Sequence, residues 1–345
     1  MKIKHLLLPV CIASYLISAS SCSHTDETEP ALPDGTLREI SFSLGGEFID
    51  VSEEPLSRAE GSTAKKYYAM NILKYDNNKS NYSYLAYGVF DDLSKMTIAL
   101  ETGTEYKFEC TTIEEAGDEI ATETIDGVEY FKYPFELSGD NKVTGSTSIS
   151  YYLKDDLNKF CPSNGNMYLT GLGAGKTTVV SDDGNSTSEK LFPRTVRYYG
   201  ELEGFNPSVG STATITLKSA SFGIKVVVDN MPGGTLTWKE EYTLKYSNLT
   251  GISGTGKKEN ITKFTFSDVK NCWKITNYTG PTVEINFTWQ PDGGIAKKYT
   301  AEVDLKRNIM TVIKVELSSY DKNITFNITE EGSMTEDDPV VAAPK

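Results

Sequence analysis

Few side chains in this sequence could do acid–base or nucleophilic chemistry. The 345-residue chain has two histidines, His5 and His24, and both precede the first strand-like stretch. The part that reads as folded therefore lacks the one side chain that ordinarily titrates near neutral pH. Ser-His-Asp and Cys-His catalysis and histidine-dependent metal sites are excluded. Chemistry based on carboxylates or lysine stays open. Glu114, Glu115, Asp118 and Glu119 make an acidic run. Glycoside hydrolysis needs two carboxylates facing across a cleft, whereas a charge run usually marks a solvated face. Asp182-Asp183-Gly184-Asn185 offers oxygen ligands but lacks the longer alternation and closing Glu of a calcium loop, so it reads as a turn. Gly171 and Gly175, ahead of Lys176-Thr177, enclose one residue fewer than a phosphate loop requires. No catalytic, cofactor-binding or metal-binding residue is expected. Tyr67, Tyr68, Tyr82, Tyr84 and Tyr87, with Trp238, Trp273 and Trp289, are the rings that could stack on a sugar. Aromatic residues in strands more often pack across strands.

Five cysteines occur. Cys110, Cys161 and Cys272 are an odd set with none of the spacings of a zinc site. Cys110 reads as a small core residue, and a Cys110–Cys161 bridge is an open alternative. Cys22 is different in kind. Lys2 and Lys4 form a basic start, and Leu6 to Ala19 is mainly apolar. That run suits a secretory signal, whose apolar part spans about 7–15 residues, better than a membrane span of about 20. The small residues Ala19, Ser20 and Ser21 stand directly before Cys22, a pattern that resembles the lipobox of bacterial lipoproteins. It implies removal of residues 1–21 and acylation of Cys22, with palmitate among the acyl groups. Plain secretion with an incidental cysteine is the alternative. The acidic stretch from Ser23 to Glu29 resembles the surface-export signal of Bacteroidetes lipoproteins. Residues 22–36, with two prolines, read as a tether.

Strands must position whatever the chain presents. A net charge of -14 opposes nucleic-acid binding, which relies on Lys and Arg neutralising phosphates. Ile40, Phe42 and Leu44 alternate with polar residues at the period of a half-buried strand. So do Tyr106, Phe108 and Cys110, then Val283, Ile285, Phe287 and Trp289, and near the end Ile324, Phe326 and Ile328. Pro291-Asp292-Gly293-Gly294 reads as a hairpin turn returning through Tyr299 to Leu305. The best helical signal is Ser150 to Phe160. Many short strands at hairpin spacing predict antiparallel sandwiches. A first domain is expected over 37–200 and a second over 201–330, parted near Gly200 to Gly210, with a tail at 331–345. Glu53-Glu54-Pro55-Leu56-Ser57-Arg58-Ala59 is polar and proline-containing, the type of loop that proteases cut.

In this order the features resemble the Bacteroidetes fimbrillins, pilin-like lipoproteins of type V pili. The resemblance rests on Cys22 with its acidic follow-on and on the alternating strand Ile40 to Leu44 ahead of Pro55-Leu56-Ser57-Arg58-Ala59. It rests also on Ala220 to Val228 (ASFGIKVVV) and on Leu305 to Leu317 (LKRNIMTVIKVEL). It implies an all-β chain of two transthyretin-like antiparallel β-sandwich domains with Greek-key character. It further implies cleavage between Arg58 and Ala59 by an arginine-specific protease. Loss of the first strand within 37–58, carrying Ile40, Phe42 and Leu44, would be followed by donor-strand exchange between pilus subunits. Ile324, Phe326 and Ile328 are the candidate donor, with the last strand of its own domain as the equal alternative, and the tail with Val340 and Val341 as another. The implied location is the outer membrane, held by lipid on Cys22, then the pilus at the cell surface, where a host or bacterial surface ligand would be met. The alternative function is a surface glycan-binding lipoprotein of a nutrient-uptake system.

Overall fold

The computed structural model describes residues 33–47, 66–114, 122–138, 151–162, 168–169, 179–180, 186–187, 196–240, 251–266, 268–318 and 324–333. Cys22, Arg58, Ala59 and the glycine-rich and Asp182–Asn185 loops lie outside them, as do Glu115, Asp118 and Glu119. Among the described residues no helix is long and apolar enough to cross a membrane.

The first described strand is β1 (Leu37–Gly46), which alternates as its sequence predicts: Ile40 and Phe42 are buried and Ser41 and Ser43 exposed. β2 (Lys66–Asp76) and β3 (Asn81–Phe90) form a bulged hairpin. β4 (Thr97–Glu101) is short, and β5 (Tyr106–Glu114) is buried along most of its length. β6 (Thr122–Ile125) and β7 (Val128–Ser138) meet through Asp126 and Gly127, both at positive φ. That is the geometry a tight hairpin turn needs to match strand twist. β8 (Tyr151–Leu153) and β9 (Lys159–Pro162) flank a single 3₁₀ turn. The expected helix at Ser150 to Phe160 is therefore replaced by two strands. Tyr152 is the cause: it is buried, its hydroxyl donates to the Asp156 carbonyl at 2.7 Å and accepts from the Val89 amide at 3.2 Å. Asn158, at φ 66, then turns the chain out of any helical path. β10 (Tyr168–Leu169), β11 (Val179–Val180) and β12 (Ser186–Thr187) are two-residue pieces.

β13 (Val196–Phe205) and β14 (Thr212–Ser219) return to the first strands. They complete an eight-stranded sheet of order β4-β1-β14-β13-β5-β2-β3-β9. The sheet curls so that β4, β1 and β14 lie over the rest, with Ile40, Met70, Phe90, Phe108 and Ile215 in one core. The stretch from Gly200 to Gly210 is thus strand and hairpin turn rather than a break. Gly200 sits so close to the β14 backbone at Thr216 that no Cβ fits there. The chain passes out of this sheet at Ala220.

β15 (Ser221–Met231) begins the second set of sheets. It is followed by β16 (Thr235–Glu240), β17 (Ile252–Ser253), β18 (Gly256–Thr265) and one helical turn and a half, α1 (Val269–Lys274). Asp268 caps α1 by accepting from the Asn271 amide at 3.2 Å. β19 (Thr279–Gln290), β20 (Lys297–Lys306), β21 (Ile309–Leu317) and β22 (Ile324–Ser333) complete two four-stranded sheets, β18-β15-β21-β22 and β17-β16-β19-β20. They face each other across Phe222, Ile224, Trp238, Phe287, Trp289 and Val315. The fold is all-β and built of antiparallel-rich sandwiches, as the sequence predicts.

Candidate functional site

The candidate site is the seat that β1 occupies. From Leu37 to Ser41 the strand pairs antiparallel with β4, and from Ser41 to Gly46 it pairs in parallel with β14. Its two halves thus bond to different neighbours, and β1 splints β4 to the rest of the sheet. The β4 backbone has no other strand partner among the described residues. Ile40 lies opposite Ile98, and the Phe42 ring meets Phe108 edge-on at 5.0 Å and Phe160 at 6.0 Å. Leu44 packs against the same core from a half-buried position. Take β1 away and a groove remains, floored by Phe108 and walled by the unpaired edges of β4 and β14. An extended peptide with apolar side chains at every second position is what such a groove accepts.

The end of β1 reaches further. Gly46, at φ 93, turns the chain against the backbone of Leu217, and the Glu47 amide donates to the Leu217 carbonyl at 2.9 Å. Glu47 Oε2 then accepts from the Ser219 amide at 2.8 Å and from Arg307 Nη1 at 2.6 Å. Arg307 sits in the β20–β21 turn of the second set of sheets and also donates to the carbonyls of Ser219 at 3.1 Å and Thr276 at 2.9 Å. A pocket of about 440 Å³ lies beside it, lined by residues 276–279, 306–309 and Glu330.

A second contact between the two sets of sheets is a cluster of four charges. Lys107 Nζ is 2.7 Å from Glu201, and Lys270 Nζ, from α1, is 3.0 Å from Glu109 and 3.2 Å from Glu201. Tyr199 donates its hydroxyl to Glu201 at 2.7 Å, and its ring meets Trp273 edge-on at 5.8 Å. Burial pushes the Glu201 carboxyl up, but the hydrogen bonds from Lys107 and Tyr199 and the charge of Lys270 outweigh it and leave it below its ordinary value. A carboxylate depressed in the folded state stabilises it above the unfolded pKa and loses that stabilisation as pH falls through the folded one. The melting temperature should therefore fall as pH drops from about 5 to 3. Thermal melts of Glu201→Gln should show a shallower fall; an identical slope would remove Glu201 from the account.

Most of the aromatic residues singled out from the sequence are packed in cores, while Tyr82 and Tyr84 are half-buried and Tyr82 meets Tyr75 edge-on at 5.2 Å. Tyr67 and Tyr87 are buried under β7 and β8, with Tyr67 edge-on to Phe131 at 5.6 Å, while Tyr68 is buried in the other core. Trp238 and Trp289 are core residues, and Trp289 Nε1 donates to the Gly233 carbonyl at 3.1 Å. Trp273 is half-buried against Tyr199. Cys110, Cys161 and Cys272 are free thiols, so the Cys110–Cys161 bridge is not formed. Burial pushes all three up, Cys161 to about 11, so none is a ready thiolate. Glu114 faces Lys66 at 3.3 Å across the β2–β5 pair. No group of three acidic, cysteine or histidine side chains suited to a metal occurs among the described residues.

β22 pairs along its length with β21. Ile324 is buried, Phe326 lies 4.9 Å from Phe287, and Ile328 is 41% exposed at the sheet's edge. The sequence signalled the buried pattern of β1 but not the partners of Glu47. Arg307 lies within the Leu305 to Leu317 motif, yet nothing local ties it to a carboxylate so distant in the chain.

No protein-family model matches the chain, and no curated protein matches it in sequence. Solved structures do. A candidate cell adhesion protein from Bacteroides eggerthii matches at 11% identity and a TM-score of 0.36, over 89% of this chain and 98% of its own. The fimbrial anchor protein Mfa2 from Porphyromonas gingivalis matches at 12% and 0.29, over 86% and 97%. A fimbrial assembly protein from Parabacteroides distasonis matches at 12% and 0.33, over 85% and 100%. These neighbours are fimbrial and adhesion proteins of the Bacteroidetes, the group the sequence resembles. At such identities and scores the likeness transfers no residue role to this chain.

Proposed function

We propose that this protein is a structural subunit or accessory adhesin of a cell-surface pilus, with no catalytic role. It is exported as a lipoprotein on Cys22, reaches the outer membrane, and is cut between Arg58 and Ala59 by an arginine-specific protease. A strand from another pilus subunit then takes the seat that β1 leaves. The observation that carries this reading is the position of β1. It joins β4 to β14, holds Ile40 and Phe42 in the core, and is the first strand among the described residues. One cut behind it frees the whole strand without interrupting any other described element. β15 also has one parallel and one antiparallel neighbour, but it follows β14 directly through Ala220 and no cut could release it alone.

The test is direct. Purified precursor treated with an arginine-specific protease should yield a new N-terminus at Ala59 and form oligomers. A different N-terminus, or cleavage without oligomers, ends the maturation reading.

The donor is proposed to be β22 or the tail beyond it. β22 presents Ile324, Phe326 and Ile328 at the spacing of Ile40, Phe42 and Leu44, but it must leave β21 to donate. The substitution Ile328→Asp separates the two. An exposed edge position should tolerate it to within about 0.5 kcal/mol, whereas a donated β22 would press the charge into the groove near the seat of Leu44. Loss of oligomers with an unchanged melting temperature assigns the role to β22. Unchanged oligomers assign β22 to its own sheet and leave Val340 and Val341 as the candidates.

A further inference from the structure

Glu47 is the last described residue after β1, and it is held both by β14 and by a side chain from the second set of sheets. Its carboxylate, 32% exposed, receives Arg307 at 2.6 Å and the Ser219 amide at 2.8 Å. The Arg307 side chain is only 7% exposed, and two backbone carbonyls fix its other hydrogens. The guanidinium is thus pre-set before the carboxylate arrives, which is the arrangement that makes a charge-assisted hydrogen bond strong. Gly46 makes the approach possible. Its left-handed backbone lies against Leu217, and any Cβ there would collide with the Leu217 carbonyl and the Thr216 side chain.

We propose that Glu47 and Arg307 form a latch that keeps β1 seated after the chain has been cut behind it. Cutting and strand release are then separate steps, and release waits on a contact with the second set of sheets. This rests on the strand-exchange reading and adds to it a regulated step. β22 shows why the latch belongs to β1. Ile324, Phe326, Ile328 and Glu331 repeat the spacing of Ile40, Phe42, Leu44 and Glu47, but Glu330 stands where β1 has Gly46. A copy of β22 entering the groove can fill the apolar seats yet cannot take the bend that delivers Glu47. The resident strand holds a contact its competitor lacks, so premature exchange is resisted.

The experiment uses the full chain with residues 53–58 replaced by the recognition sequence of a protease that cuts nowhere else. After cutting, release of the N-terminal fragment is followed by native mass spectrometry, with excess synthetic peptide 37–47 present to block rebinding. The fragment should stay bound when the latch is intact. It should leave about tenfold faster in Glu47→Gln, the scale of one hydrogen bond to a charged group. Arg307→Gln should act alike, and the double variant should be no faster than either single one, because both remove the same contact. Gly46→Ala, which keeps the carboxylate and blocks its approach, should also speed release. Equal rates in all variants, or immediate loss from the unaltered chain, overturns the latch. Because the engineered cut bypasses Arg58, failure of natural cleavage would sink the maturation reading and leave this result standing. Glu47→Gln changes a partly exposed strand end, so it remains informative if Arg307→Gln does not fold.

Discussion

A chain beginning at Ala59 should be markedly less stable than the precursor and should self-associate. It lacks Ile40 and Phe42, two buried side chains worth about 1.5–3 kcal/mol each in apolar burial, and leaves the edges of β4 and β14 without partners. Domains are stable by only about 5–15 kcal/mol in total, so the loss is a large share. The melting temperature should drop, and size-exclusion chromatography should show oligomers. Adding peptide 37–47 should restore both the melting temperature and the monomer. The same peptide with Phe42→Ala should restore little, since truncating a buried Phe costs about 3–5 kcal/mol and Phe42 meets Phe108 and Phe160 at once. An Ala59-start chain that melts like the precursor would show that β1 is an ornament of the sheet and would remove the basis for exchange.

The second large effect concerns Trp289, and it decides against or for a sugar-binding role of that indole ring. Trp289 is 1% exposed and lies opposite Leu236 in the β16–β19 pair. Trp289→Ala should cost about 3–5 kcal/mol, and it also leaves the buried Gly233 carbonyl without its indole donor. A Trp serving as a stacking surface for glycans would be exposed, and its truncation would shift stability by no more than about 0.5 kcal/mol. Urea denaturation of the variant, alongside a glycan-array measurement on the unaltered chain, separates the two. A stable Trp289→Ala protein that has lost sugar affinity would favour the glycan-binding alternative.

Much of this fold was legible in the sequence because alternation is a local signal. Val283, Ile285, Phe287 and Trp289 all point into one core, as their spacing predicts, and Pro291 to Gly294 turns the chain as its residue types require. Where one long-range contact overrides local pattern, the sequence misled. Ser150 to Phe160 has helix-like spacing, but Tyr152 reaches the Val89 amide and pins the segment as strand and turn. The glycines of 200–210 read as a break between domains, yet Gly200 is there to let two strands touch. The site was half legible: Ile40 and Phe42 announced a buried strand, whereas the Glu47–Arg307 pair joins residues 260 positions apart. No periodicity carries that information.

The unequal pairing of β1 has a consequence for any polymer built through its seat. β1 runs antiparallel to β4 and parallel to β14, so the groove has a direction, and a replacement strand that preserves this pairing must enter with one orientation. Each subunit would then receive a strand at one place and give a strand from another, a head-to-tail contact that does not close on itself. A filament made this way has unlike ends. One ends in an empty groove and the other in an ungiven strand, so growth, capping and attachment to the cell become tasks for different chemistries at opposite tips.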